Sequence, residues 1–180
     1  MKRWVSAFAF VFFAYGSAAA DEGGTDALVA EALSAAPDFI AKDATVHDWS
    51  HQTLKKGSNG WVCLPTSEAD KARGEACPMC LDSTWHGFVV ALQNGRAPKV
   101  EKTALAYMLA GDCLVSNLSP AHAATHENHA VREGAHLMIL FPDPAAYETF
   151  PSDPASPGAY VMWKESPYVH LMVPLERSTE

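Results

Sequence analysis

The chain has 180 residues, of which 48% are apolar and 19% charged, with a formal net charge of −8 at pH 7. This composition is too balanced for a disordered tail, a collagen-like repeat or a coiled coil. The negative charge, with no long basic run to offset it, argues against general electrostatic binding to nucleic acid or to an anionic membrane. We therefore expect an acidic, soluble protein with one folded domain.

The first twenty residues have the layout of a secretory signal peptide. Lys2 and Arg3 form a positively charged start, residues 4–15 are almost continuously apolar, and residues 18–20 are the small alanines of a cleavage site. The apolar stretch is shorter than the about 20 residues of a membrane-spanning helix, and no later segment is long enough to span. We predict a signal peptide over 1–20, a single domain over 21–180, and a periplasmic or secreted location.

Four cysteines follow this segment: Cys63, Cys77, Cys80 and Cys113. An even number in an exported protein predicts two disulfides, and three connectivities remain open. Cys77 and Cys80 also have the C-x-x-C spacing of thiol oxidoreductases, in which a helix N-terminus lowers the thiol pKa. Structural disulfides are favoured, because the ten residues before Cys77 are polar and show no strand pattern. A zinc site is the weakest alternative, since its thiols would have to stay reduced.

The N-terminal half of the predicted domain contains two helices and two strands. Residues 25–36 have apolar side chains near helical spacing. The segments 45–49 and 60–64 are typical of strands, and the turn formers between them favour a hairpin. A second helix begins after the N-cap Asp82 and ends before Gly95, with apolar residues at i, i+3, i+4 and i+7.

The C-terminal half is richer in strands. A short helix is predicted over 143–147, where a proline follows a capping aspartate. The predicted strands cover residues 104–110, 135–141, 159–163 and 168–173. Strands linked mostly by short polar turns, with a few short helices, predict an α+β domain with a mainly antiparallel sheet, stapled by the disulfides.

Three short motifs occur along this domain. They are NGWVC at residues 59–63, MILFPDP at residues 138–144, and YVMWK at residues 160–164 followed by Pro167 and Tyr168. In these motifs the chain resembles a group of small exported bacterial proteins of unassigned function. The resemblance implies secretion and a shared fold over most of the domain, and it implies no particular activity.

Two predicted strands contain a His-x-Met motif, formed by His136 with Met138 and by His170 with Met172. Because side chains alternate along a strand, each histidine and its methionine project to the same face. If the two strands are neighbours, imidazole and thioether groups meet on one face of the sheet. Such donors suit copper, and Cu(I) above all. The competing interpretation is ordinary core packing of flexible methionines and hydrogen-bonded histidines.

A second group of candidate metal ligands is His122, His126 and His129, which have i, i+4 and i+7 spacing. On a helix beginning after Pro120, the three rings would line one side and could bind a divalent ion. The alternative is a solvated acidic loop whose histidines titrate near neutral pH and bind metal only weakly.

Catalytic motifs are absent from the sequence. It contains no G-x-S-x-G elbow, no glycine-rich phosphate loop, no dinucleotide fingerprint and no EF-hand loop. Residues 126–129 are one residue short of the H-E-x-x-H zinc-protease spacing. His47, His51 and His86 have no supporting pattern. No catalytic residue is therefore assigned.

The sequence favours a periplasmic or secreted protein that binds a transition metal, copper in preference, through histidine and methionine side chains. The alternative is a thiol oxidoreductase using Cys77 and Cys80, or another periplasmic enzyme. A further alternative is an interaction module without small-molecule chemistry. The sequence identifies no protein partner.

Overall fold

The structure, a computed structural model, describes residues 22–176, so the predicted signal peptide over 1–20 lies outside it. The strands of this part of the chain are β1 (Thr45–His47), β2 (Thr53–Lys55), β3 (Val62–Leu64), β4 (Met79–Leu81), β5 (Ala104–Met108), β6 (Val115–Ser116), β7 (Ala130–Val131), β8 (His136–Leu140), β9 (Tyr160–Met162) and β10 (His170–Pro174). The helices are α1 (Glu22–Leu33), α2 (Asp38–Ala41), α3 (Glu68–Lys71) and α4 (Ser83–Gln93), with 3₁₀ turns at His126–Asn128 and Pro144–Thr149.

Eight of the strands form one sheet in the order β2-β1-β3-β4-β5-β8-β10-β9. Neighbouring strands are antiparallel except β1 and β3, which run parallel. β6 and β7 form a separate antiparallel pair. The fold is therefore α+β with a mainly antiparallel sheet, as the sequence predicts.

The predicted hairpin between residues 45–49 and 60–64 is wrong. β1 and β3 pair in parallel, with Thr45 opposite Val62 and Val46 opposite Cys63. The segment between them forms β2, which pairs with the other side of β1 in the antiparallel sense. A tight turn cannot join parallel strands, so this chain segment has to cross back along the sheet before β3 begins.

Two disulfides staple the fold, Cys63–Cys80 and Cys77–Cys113. Cys63 and Cys80 lie directly opposite each other on β3 and β4, so the first bridge joins neighbouring strands of the sheet. The second bridge ties the segment before β4 to the loop after β5. The disulfide prediction is confirmed, and the structure selects one of the three connectivities. Strand β4 is not predicted from the sequence, because the segment before it is polar.

Helix α4 begins where the sequence predicts, because Asp82 caps its N-terminus. Asp82 Oδ1 accepts hydrogen bonds from the backbone N–H groups of Thr84 and Trp85, each at 2.9 Å. Its Oδ2 accepts from Leu105 N on β5, also at 2.9 Å, which fixes the start of the helix against the sheet. Trp85 and Phe88 are then buried against one sheet face.

The opposite face of the sheet is covered at β1, β3 and β4 by α1 and the segment that follows it. Ala32, Ala35 and Ile40 pack there against Val46 and the Cys63–Cys80 bridge. This half of the sheet is therefore buried on both faces. None of the helices formed by residues 22–176 has the length and apolar character that crossing a bilayer requires.

Peptide mapping under non-reducing conditions tests the disulfide pairing. Trypsin combined with cyanogen bromide places each cysteine in a separate peptide, because Met79 lies between Cys77 and Cys80. We expect peptide 57–71 to be linked to 80–96, and peptide 74–79 to be linked to 109–132. A linked pair of 74–79 with 80–96 would contradict the structure, and a reduced sample that releases all four peptides is the control.

Candidate functional site

Strands β5, β8, β10 and β9 present histidine and methionine side chains on one face of the sheet. Met138 on β8 lies directly opposite Met172 on β10. His136 on β8 lies opposite Met108 on β5, and His170 on β10 lies opposite Met162 on β9. Because directly opposed residues share a face, all six project the same way. We call Met108, His136, Met138, Met162, His170 and Met172 the His–Met face.

β8 and β10 are neighbours, so the two His-x-Met motifs meet on one face, as the sequence argument required. The register also separates the two imidazoles. His136 precedes Met138 by two residues and His170 precedes Met172 by two residues, on strands that run in opposite directions. The histidines therefore flank the central Met138–Met172 pair from its two ends.

The whole His–Met face is buried under α4 and the chain that follows β9. Each of its six side chains is at most 6% exposed. The ring of His170 lies 5.3 Å from that of Trp85 and 6.1 Å from that of Phe88, measured between centroids. The ring of Trp163 lies 4.9 Å from it. His170 is thus enclosed edge-on by three aromatic rings, away from bulk water.

Both buried imidazoles contact a backbone carbonyl two residues earlier in the chain. Nδ1 of His136 lies 2.8 Å from the Gly134 carbonyl oxygen, and Nδ1 of His170 lies 2.9 Å from that of Tyr168. A carbonyl only accepts, so Nδ1 carries the proton in each ring and Nε2 keeps a lone pair when the ring is neutral. Nε2 of His136 is buried without a hydrogen-bond partner among residues 22–176. A backbone carbonyl on the second nitrogen is a common arrangement in histidines that bind metal.

Burial keeps both rings neutral. It lowers the pKa of His170 to about 4, against the hydrogen bond to Tyr168, and the charge of a protonated His136 would lower that pKa further. Burial also lowers the pKa of His136, while the Gly134 carbonyl and the charge of Glu133 oppose the shift. At pH 7 each ring therefore presents an unprotonated nitrogen to the face.

The cysteines offer neither a redox pair nor a metal site. Cys77 and Cys80 are each bonded to a different partner, so the thiol oxidoreductase alternative is wrong. Cys80 lies inside strand β4 and not at the start of a helix. Asp70 brings a carboxylate oxygen within 4.8 Å of the sulfurs of Cys77 and Cys113. Those two sulfurs are bonded to each other, so they provide no thiolate for a metal.

The predicted helical alignment of His122, His126 and His129 is wrong. Only His126–Asn128 is helical, as a single 3₁₀ turn, and His129 has a left-handed backbone with φ 48°. The Asn128 side chain donates a hydrogen bond to the Ala123 carbonyl at 3.0 Å, and such local bonds compete with helix formation. His122 and His129 line a surface cavity of about 710 Å³ in which His126 takes no part. Metal binding by the three together remains a prediction without a common face to support it.

A third group of histidines, which no sequence pattern predicts, lies close together in the structure. The ring of His86 lies 5.7 Å from that of His47 and 5.9 Å from that of His51, between centroids. The only local signal is the four-residue spacing of His47 and His51. Because His47 lies on a strand and His51 in a loop, helical periodicity does not predict that their side chains meet. His86 joins the group through the packing of α4 beside the end of β1.

No protein-family model matches the chain, and no curated protein and no solved structure is detectably similar to it. The resemblance to small exported bacterial proteins therefore stays a prediction. The function has to be argued from the side chains themselves.

Metal-free protein should lose stability on acidification because of His170. The pKa of about 4 in the folded state lies below the 6.5 of an ordinary histidine, so the unfolded chain binds more protons between these pH values. The contribution of neutral His170 to the free energy of unfolding is complete above pH 6.5. It falls by about 3 kcal/mol as the pH is lowered to 4. The free energy of unfolding, measured with urea, should therefore fall between pH 7 and pH 4 by about 3 kcal/mol more in the wild type than in His170→Gln.

The comparison between variants is needed because Asp112 acts in the opposite sense. Burial raises the pKa of Asp112 from 3.8 to about 7, although the Cys113 N–H opposes the shift. The stabilising contribution of Asp112 is therefore lost as the pH rises from 3.8 to about 7. This contribution is common to both proteins and cancels. His126→Gln at an exposed histidine should behave like the wild type. Equal losses for wild type and His170→Gln would show that His170 is not held neutral by the fold.

Proposed function

We propose that the protein is an exported protein that binds Cu(I) at the His–Met face, in the periplasm or outside the cell. The observation that carries the proposal is the pairing of two buried methionines between two buried imidazoles. Each imidazole has its Nδ1 proton held by a backbone carbonyl and its Nε2 free of a proton.

The donor set fits a soft monovalent ion. Thioether sulfur is a soft ligand that selects Cu(I), and imidazole binds copper as well. Both cysteine pairs are oxidised in this chain, and no cysteine among the described residues is free. Methionine and histidine are therefore the soft donors that remain to the protein in an oxidising compartment.

The central pair can supply two ligands to one ion. Met138 and Met172 are directly opposed across β8 and β10, so their Cβ atoms are about 4.5–5.5 Å apart. Methionine has three rotatable side-chain bonds, which let the two sulfurs turn towards a common point. Nε2 of His136 or of His170, at either end of the pair, would be the third ligand.

Two features argue for a ligand over simple packing. Packing alone leaves the buried Nε2 of His136 without a partner, and a buried polar atom in this condition calls for an explanation such as a bound ion. Glu133, which is 5% exposed, acts on His136 with its negative charge. A carboxylate close enough to act on His136 would offset part of the charge of a cation bound there.

Two observations support the location. The disulfides Cys63–Cys80 and Cys77–Cys113 belong to proteins of oxidising compartments. The sequence of residues 1–20 has the layout of a signal peptide. A copper-binding role in this location needs no catalytic residue, and none is assigned.

Competition titration of metal-free protein with a chromophoric Cu(I) chelator tests the proposal. The variant Met138→Leu/Met172→Leu removes both sulfurs and conserves side-chain volume, so the fold should persist at a cost below about 1.5 kcal/mol per site. Loss of even an outer-shell partner lowers metal affinity by about 10–100-fold, so loss of both sulfurs should weaken Cu(I) binding at least about 100-fold.

Met79→Leu is the matched control, because Met79 lies on β4, three strands from β10 in the same sheet. It should bind Cu(I) like the wild type. Circular dichroism establishes that each variant is folded. A folded double leucine variant with wild-type affinity would overturn the proposal, as would a wild type that fails to compete with the chelator.

A further inference from the structure

Three histidines meet on the surface beside the end of strand β1, at a place separate from the His–Met face. His47 is the last residue of β1, His51 follows in the loop to β2, and His86 lies in the first turn of α4. Val46 is buried on the α1 side of the sheet, so its neighbour His47 projects to the other side, where α4 lies. His86 has both other rings within 6 Å of its own.

The loop that carries His51 is held in place by Asp48. Asp48 Oδ1 accepts hydrogen bonds from Ser50 N at 2.9 Å, from Ser50 Oγ at 2.7 Å and from Gln52 N at 2.9 Å. Partial burial opposes the charge of Asp48, but these hydrogen bonds outweigh it and the pKa is lowered, so the group is a carboxylate at pH 7. His51 sits within this loop with φ 66°, a left-handed conformation that non-glycine residues seldom adopt.

Two nitrogens of the group have no protein partner. Nδ1 of His47 and Nε2 of His86 are buried atoms without a hydrogen bond among the described residues. Burial lowers the pKa of His86, and the charges of a protonated His47 or His51 would lower it further. The ring is therefore neutral at pH 7, and neutral imidazole is the form that binds a metal ion.

Two of the ring separations are compatible with a shared ion. Two imidazoles that bind one tetrahedral ion at about 2.0–2.1 Å have their ring centroids about 5 to 6 Å apart. The observed separations from His86 are 5.7 Å to His47 and 5.9 Å to His51. The three rings do not yet bring one nitrogen each within 4.8 Å of the others, so the exposed ring of His51 has to turn towards the other two when an ion binds. His51 is exposed, whereas His47 and His86 are half-buried, so an ion has a path from solvent into the group.

We infer that His47, His51 and His86 form a binding site for one divalent transition-metal ion, coordinated through imidazole nitrogens. Three nitrogen donors without sulfur favour Zn²⁺, Cu²⁺ or Ni²⁺ over Cu(I). The carboxylate of Asp48 lies close enough to act on His47 electrostatically and adds a negative charge beside the site. The site stands independently of the proposed Cu(I) function, because it shares no ligand with the His–Met face.

Calorimetric titration with Zn²⁺ tests this inference on metal-free protein. His51→Ala removes one exposed ligand without disturbing the core, and we expect it to weaken Zn²⁺ binding at least about tenfold. His126→Ala, at an exposed histidine outside the group, is the matched control and should bind like the wild type. Proton–nitrogen NMR of the imidazole rings should show the nitrogens of His47 and His86 shifting together as Zn²⁺ is added.

The Met138→Leu/Met172→Leu variant separates the two sites, since it should keep wild-type Zn²⁺ affinity whatever happens to its Cu(I) affinity. Equal Zn²⁺ affinities for wild type and His51→Ala would overturn the inference. A loss of affinity in His126→Ala but not in His51→Ala would do the same, because it would assign the ion to the loop of residues 122–129.

Discussion

The antiparallel pairing of β8 with β10 is the constraint on which the rest of the buried site depends. Its register sets Met138 against Met172 and leaves one histidine at each end of the pair. A slip of one residue would turn every side chain of a strand to the other face. If β10 slipped in this way, Leu171, which now packs with Tyr147 on the far side, would meet α4, and the ring of His170 would face Tyr147. Because both faces are apolar, the positions of the histidines distinguish one register from the other.

Much of the local structure could be predicted from the sequence, because it rests on neighbouring residues. The Asp82 cap and the apolar spacing behind it define α4, and the apolar runs around His136 and His170 define β8 and β10. The partners of a strand depend instead on residues far apart in the chain. Parallel pairing of β1 with β3 and insertion of β4 between β3 and β5 have no local signal. The hairpin prediction failed for this reason.

The candidate sites also differ in whether they depend on neighbouring residues or on distant parts of the chain. The His-x-Met repeat was visible because both members of each motif lie on one strand, and only the adjacency of the strands had to be supplied by the fold. The alignment of His122, His126 and His129 assumed a helix, whereas this segment forms a loop with one 3₁₀ turn, in which the Asn128 side chain bonds to the Ala123 carbonyl. The meeting of His47 with His86 requires a strand end and a helix start to pack together, and no spacing rule reaches across a sequence separation of 39 residues.

Helix α4 connects the two histidine groups. Trp85 packs its ring against His170 in the interior, and the next residue, His86, turns to His47 and His51 at the surface. Successive residues on an α-helix point about 100° apart, so one turn can serve an interior and a surface environment at once. The Asp82 cap, which ties this turn to β5 through Leu105, thereby positions side chains in both groups.

The far edge of the sheet is closed by the chain itself. On β9, the Val161 N–H donates to the Pro151 carbonyl at 2.7 Å, and just beyond it the Trp163 N–H donates to the Asn117 carbonyl at 3.0 Å. β9 is also only three residues long, and the left-handed Trp163 ends it. A second molecule therefore finds few free backbone groups to which it could add a strand. These hydrogen bonds thus disfavour edge-to-edge association of two sheets, the step at which aggregation begins, at this edge of the eight-stranded sheet.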